Sequence, residues 1–253
     1  MELATELVSI DDLLNGKCGR LSEGDVLAFN GASKVDAFIQ EATFSNISHV
    51  AVLMRENREE PLSVLEATGA GVTVTELEAS LAKYKDDHVC FYLPLTPENR
   101  GRVNDAALAA YYAANAGQKY NYGGVVAAGL YDLDNPLFEK LMGHVGANSL
   151  VARAARWWEG LAERVWDEVF QLNPDYRRLF CSQLVTEALL ATQLPLTGPP
   201  NARLVVPIEV CWFDIFAGAY QLNGEPLPQP FRWGAAPLAA APTAAPVAAP
   251  VTG

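Results

Sequence analysis

In the first half of the chain, apolar residues come in short runs broken by glycine, proline, asparagine and charge. Gly24-Asp-Val-Leu-Ala-Phe29 reads as a strand closed by the turn pair Asn30-Gly31. Ser48-His-Val-Ala-Val-Leu-Met54 is a second strand, ending in the charged turn from Arg55 to Pro61. Ser63-Val-Leu-Glu-Ala-Thr68 is a third; Gly69-Ala-Gly71 separates it from a fourth, Val72-Thr-Val-Thr75. His88 to Leu95 makes a fifth. Short strands divided by turns predict a largely antiparallel meander. Two helical pieces accompany it: an amphipathic Ile10–Leu14 ahead of the first strand, and residues 33–44 with Val35, Phe38, Ile39 and Ala42 on one face.

The second half changes period. Pro97 to Ala116 is helical in character, with Val103, Ala107, Leu108, Ala110, Tyr111 and Ala114 on a broad apolar face and Gly117 as its stop. Tyr120-Asn-Tyr-Gly-Gly124 is a turn. Asn148 to Phe170 predicts a long helix carrying Trp157, Trp158 and Trp166, and this stripe reads as core or lid packing. A further helix starts at Cys181, where Leu184, Val185, Ala188 and Leu189 recur at helical spacing and Ser182 or Asp175 are the nearby capping groups. Leu204-Val-Val206 predicts one more strand. From Pro237 the chain is an uncharged run of alanine, proline, valine and threonine, expected to be an extended tail that can tether the protein to another.

Composition narrows the classes. At 253 residues, half of them apolar, the chain can bury one sizeable core. A net charge of −12 argues against nucleic acid and anionic lipid surfaces as partners. No window is apolar for long enough to span a bilayer, and the acidic start lacks the form of a signal peptide, so a soluble cytoplasmic protein is expected. Cys18, Cys90, Cys181 and Cys211 show no CxxC spacing, and His49, His88 and His144 are the only histidines, so no metal site is expected. Cys90 and Cys211 fall in apolar runs and read as buried packing groups; Cys18 reads as exposed. Neither His88 nor His144 has a neighbour that suggests chemistry.

Cys181 draws attention because a thiol in the first turn of a helix feels the positive end of its dipole and the free first-turn N–H groups, which favour thiolate. A thiolate nucleophile also needs a base and an orienting partner. His49 sits inside one apolar strand and Glu66 inside another, and adjacent strands can set the carboxylate beside the imidazole. Each residue also has an ordinary structural reading, as a buried thiol, a hydrogen-bonded histidine or a paired carboxylate.

Together, Gly24-Asp25-Val26, Ser48-His49-Val50-Ala51-Val52, Leu65-Glu66-Ala67 and Phe180-Cys181-Ser182-Gln183-Leu184-Val185 resemble the circularly permuted NlpC-type papain-like cysteine hydrolases. The YiiX/YycO-like branch is the nearer likeness, the lecithin:retinol acyltransferase type the more distant. The order is that of the permuted group, with the histidine strand ahead of the cysteine helix. The likeness covers residues 22–190. It implies an α+β fold, an antiparallel sheet or barrel packed on helices, in a domain over 22–235 with a helical insertion at about 123–176, flanked by 1–21 and the 236–253 tail. It further implies Cys181 as nucleophile, His49 as base and Glu66 as the orienting third member, with Tyr120, Tyr122, Ser48 and Ser182 around the substrate or oxyanion. No cofactor is implied. The expected reaction is hydrolysis of an amide, peptide or isopeptide bond through a thioester. The rivals are acyl transfer or thioester hydrolysis on a lipid or thioester donor, and a silent binding or assembly module on the same scaffold.

Overall fold

The computed structural model describes residues 5–31, 36, 39–40, 45–83, 89–121, 179–196 and 201–223. The expected insertion, the tryptophan stripe, Tyr122, His88, His144, Asp175 and the Ala/Pro tail lie outside these residues, as does most of the segment expected to be helical at 33–44.

The elements run β1 (Thr5–Leu7), α1 (Ile10–Leu14), β2 (Val26–Phe29), β3 (His49–Met54), β4 (Ser63–Thr68), β5 (Gly71–Glu76), α2 (Leu77–Ala82), β6 (Cys90–Leu93), α3 (Pro97–Arg100), α4 (Asp105–Asn115), α5 (Cys181–Ala191), a 3-10 turn (Ala202–Leu204), α6 (Pro207–Val210) and β7 (Ala219–Gln221). Seven strands form one sheet in the order β1-β7-β6-β2-β3-β4-β5. Every neighbouring pair is antiparallel except β1 with β7. β2 to β5 are the meander read from the turns. The sheet has two ends, β1 and β5, so the barrel alternative does not hold and the architecture is an open α+β sheet packed against helices.

Both faces of the sheet are covered, which is why β2 and β3 read as nearly unbroken apolar runs. On one face Val50, Val52, Met54, Leu65 and Phe91 pack with Leu184, Val185, Ala188 and Leu189 of α5. On the other, Leu27, Phe29, Ala51, Leu53 and Tyr92 pack with Leu13 of α1 and with Leu77 and Leu81 of α2. Cys18 belongs to this second core and is buried, not exposed: the turn after α1 folds it against Leu13 and its neighbours. Cys90 and Cys211 are buried as expected.

Two elements differ from the sequence reading for local reasons. The stretch Pro97 to Ala116 is two helices, because the Asn104 side chain accepts from the Ala107 N–H and starts a new one. Leu204-Val-Val206 is not a strand. The Asn201 side chain, accepting from the Arg203 N–H, sets a 3-10 turn, Pro207 opens α6, and the Val205 carbonyl is taken by the Ser182 hydroxyl at 2.7 Å. Helix-start chemistry outweighs the β preference of two valines.

One glycine ties α4 to the sheet edge. Gly71 has φ +109°, and a Cβ there would stand 2.6 Å from the Gln118 carbonyl oxygen. That oxygen accepts from the Val72 N–H at 2.8 Å, and the Val72 carbonyl accepts from the Gly117 N–H at 2.9 Å. Gly71→Ala is therefore expected to cost on the order of 2 kcal/mol, read as a lower urea midpoint. An unchanged midpoint would mean that the latch is not needed.

Candidate active site

The apolar stripe that buries α5 also carries the sulfur. Cys181, Leu184, Val185, Ala188 and Leu189 lie on one face of the helix, and all five are buried. Packing that face on β3 and β4 presses the first residue of the helix against the sheet. Phe180 is the N-cap and no side chain caps the turn. Ser182 does not cap it: it lies within the first turn, its hydroxyl on Val205.

The sheet opens where Cys181 arrives. The β3–β4 ladder is paired at Val52–Leu65, Leu53–Val64 and Met54–Ser63, then stops, whereas β4 stays paired with β5 as far as Thr68–Gly71. The residues of β3 beyond the stop have β2 on their other side, with Phe29 opposite His49. The Val50 N–H, which an extended ladder would have turned to β4, instead donates to the Cys181 sulfur. The Ser48 carbonyl is 3.9 Å from Sγ. The thiol thus occupies the place of a missing strand pairing.

His49 and Glu66 meet across the same opening. His49 Nε2 is 3.1 Å from Glu66 Oε2, and the imidazole stacks on Phe29 with ring centroids 5.6 Å apart. With Nε2 on the carboxylate, Nδ1 is left for the sulfur, and Cys181 and His49 are hydrogen-bonded. Glu66 Oε1 accepts from Thr75 Oγ1 at 3.5 Å and from Lys83 Nζ at 3.4 Å. Tyr120, held beside Leu179 by a parallel bridge, points its hydroxyl at Sγ from 3.9 Å.

The electrostatics favour charge separation. Burial pushes the His49 pKa down, but the bonds and charges of Cys181 and Glu66 win and raise it to about 10. Burial pushes the Cys181 thiol up, and His49, the Val50 N–H and the Tyr120 hydroxyl more than offset it, leaving it below the ordinary value. Glu66 is likewise raised by burial and brought down further by His49 and Lys83, ending below the usual carboxylate range. The arrangement stabilises a thiolate–imidazolium pair flanked by a carboxylate.

Of the residues singled out in the sequence, the structure brings together Cys181, His49, Glu66 and Tyr120. The Ser48 hydroxyl accepts from the Gly31 N–H at 2.9 Å and braces the turn after β2; only its carbonyl faces the sulfur. Three contributors were not singled out: the Val50 N–H, Thr75 and Lys83. The first is a backbone group with no sequence signal, and the other two are ordinary strand and helix-end residues until the sheet register is known. Among the described residues, no group of three or more histidine, cysteine or acidic side chains is placed to hold a metal ion, and no helix is long and apolar enough to cross a membrane.

No family model matches the chain, and no curated protein matches it. Among solved structures it is similar to the crystal structure of the metalloprotein yiiX from Escherichia coli O157:H7, DUF1105, with 25% sequence identity over 50% of this chain and 83% of that one and a TM-score of 0.32.

Proposed function

We propose that this chain is a cysteine hydrolase that cleaves an amide, peptide or isopeptide bond, with Cys181 as nucleophile, His49 as proton carrier and Glu66 as the group that orients His49. The observation that carries the reading is the hydrogen-bonded series Cys181–His49–Glu66, assembled from a helix and two strands at a break in the sheet.

In this reading the proton already rests on His49. The Cys181 thiolate attacks the substrate carbonyl carbon, and the carbonyl π pair moves to oxygen. The oxyanion so formed faces the Cys181 N–H at the start of α5, with the Tyr120 hydroxyl as a second donor. As the tetrahedral centre collapses, the C–N bond breaks and the imidazolium protonates the departing amine. Neutral His49 then takes a proton from water, whose oxygen attacks the thioester; the carboxylic acid leaves and the thiolate–imidazolium pair returns. Glu66 stays ionised throughout and holds the imidazole in one orientation. An amine or alcohol in place of that water would make the same site an acyltransferase.

The test is turnover and trapping. Cell-wall-type peptides and isopeptide-linked peptides are incubated with the protein and with Cys181→Ala, and the chain is weighed intact. The expected outcome is an acyl adduct and product with the native chain and neither with the variant. Equal product from both would overturn the proposal, and product analysis with an added amine separates hydrolysis from transfer.

A further inference from the structure

The Glu66 carboxylate has more partners than a triad requires. Its Oε2 faces His49, while its Oε1 is shared by Thr75 of β5 and by Lys83, the residue that follows α2. The chain reaches Lys83 by a short return: β5 runs back along β4, α2 follows without a loop, and Leu77 and Leu81 anchor it in the core. That return brings a cation to the outer side of a carboxylate that is itself almost fully buried. Half of the Lys83 side chain remains in water.

We infer that Lys83 and Thr75 are positioning residues for the proposed hydrolase, holding Oε1 of Glu66 so that Oε2 alone is presented to His49. Two donors on Oε1 limit the tilt of the carboxylate plane and leave Oε2 for the imidazole, which favours one orientation of the ring toward the sulfur. The lysine also keeps the carboxyl ionised as the pH falls. Without it, Glu66 takes up a proton at higher pH and the imidazolium loses its anion. Its proton then returns to sulfur. The charged or titratable groups facing Glu66 among the described residues are His49 from β3 and Lys83 after α2; Cys181 of α5 lies behind His49. The sign is therefore the same whether Lys83 acts through Glu66 or directly on the thiolate: its loss moves the acid limit of the thiolate upward.

This inference rests on the hydrolase reading, and one titration separates their fates. Thiolate ultraviolet absorbance is followed against pH in the native chain, in Lys83→Gln, in Lys83→Arg and in Thr75→Val, each minus Cys181→Ser. Lys83→Gln is expected to raise the pH at which thiolate is lost by about half a unit, a size set by the exposure of the lysine, and Lys83→Arg to restore it. Thr75→Val is expected to shift it in the same direction by less. A native thiolate whose acid limit is the same in Lys83→Gln and Thr75→Val would overturn the positioning role alone. A native chain with no low-pH thiolate would overturn the hydrolase reading beneath it. A purely structural role for Lys83 would lower the unfolding temperature and leave the titration unmoved.

Discussion

Replacing Asp25 by asparagine is expected to destabilise the fold by about 3 kcal/mol. Asp25 is fully buried just before β2. Its Oδ2 accepts from the Tyr92 hydroxyl at 2.6 Å and from the Ser22 N–H at 2.9 Å, and its Oδ1 accepts from the Leu95 N–H at 2.9 Å. Arg100 Nη2 lies 3.1 and 3.2 Å from the two oxygens. One side chain thus ties the entry to β2, β6, Leu95 past the end of β6 and α3 together. An asparagine has a single acceptor oxygen, and its NH2 would face donors. Breaking a buried ion pair by removing one partner costs about 3–5 kcal/mol. The lower end applies because 31% of the Arg100 side chain is exposed and can turn to water. The measurement is the urea midpoint at unchanged slope. A loss below about 1 kcal/mol would mean that the cluster fills space without holding the strands.

The second large effect is on the site. Glu66→Gln keeps the shape of the side chain and removes its charge, so the imidazolium loses its ionic partner, and an amide that accepts at one end only replaces a group that accepts at both. His49, raised to about 10 in the native chain, is expected to titrate more than one unit lower in the variant. Nitrogen resonances of the imidazole, assigned by their absence in His49→Ala, report this directly. Turnover, where a substrate is found, is expected to fall roughly 10²- to 10⁴-fold, the range for losing the orienting member of such a triad. An unshifted imidazole would mean that Glu66 is only a buried carboxylate satisfied by Lys83 and Thr75.

Much of this was legible from local pattern. Each strand of the meander shows itself as an apolar run between turn residues, because period and turn chemistry are properties of neighbours in sequence. His49 and Glu66 stand out as single polar residues in such runs, and Cys181 as the first residue of an apolar helical stripe. What was hidden depends on distant partners. β7 is three residues long and owes its existence to pairing with β1 and β6. α2 has no side-chain cap to announce it. The halt of the β3–β4 ladder, which leaves the Val50 N–H to the sulfur, coincides with where α5 lands and leaves no trace in β3 or β4 themselves. The work of Asp25 was equally invisible, since all but one of its donors come from residues 92, 95 and 100.

The proposed hydrolase requires that His49 hold the proton and Cys181 the negative charge. The direct measurement is the thiolate absorbance of the native chain against pH, minus that of Cys181→Ser, repeated in His49→Ala. The other thiols stay silent in this range, since burial pushes Cys18, Cys90 and Cys211 all upward. The expected result is a thiolate present well below the ordinary thiol value of about 8.5 and lost when His49 is removed. A Cys181 that titrates at or above that value, with or without His49, would contradict the proposed thiolate–imidazolium pair.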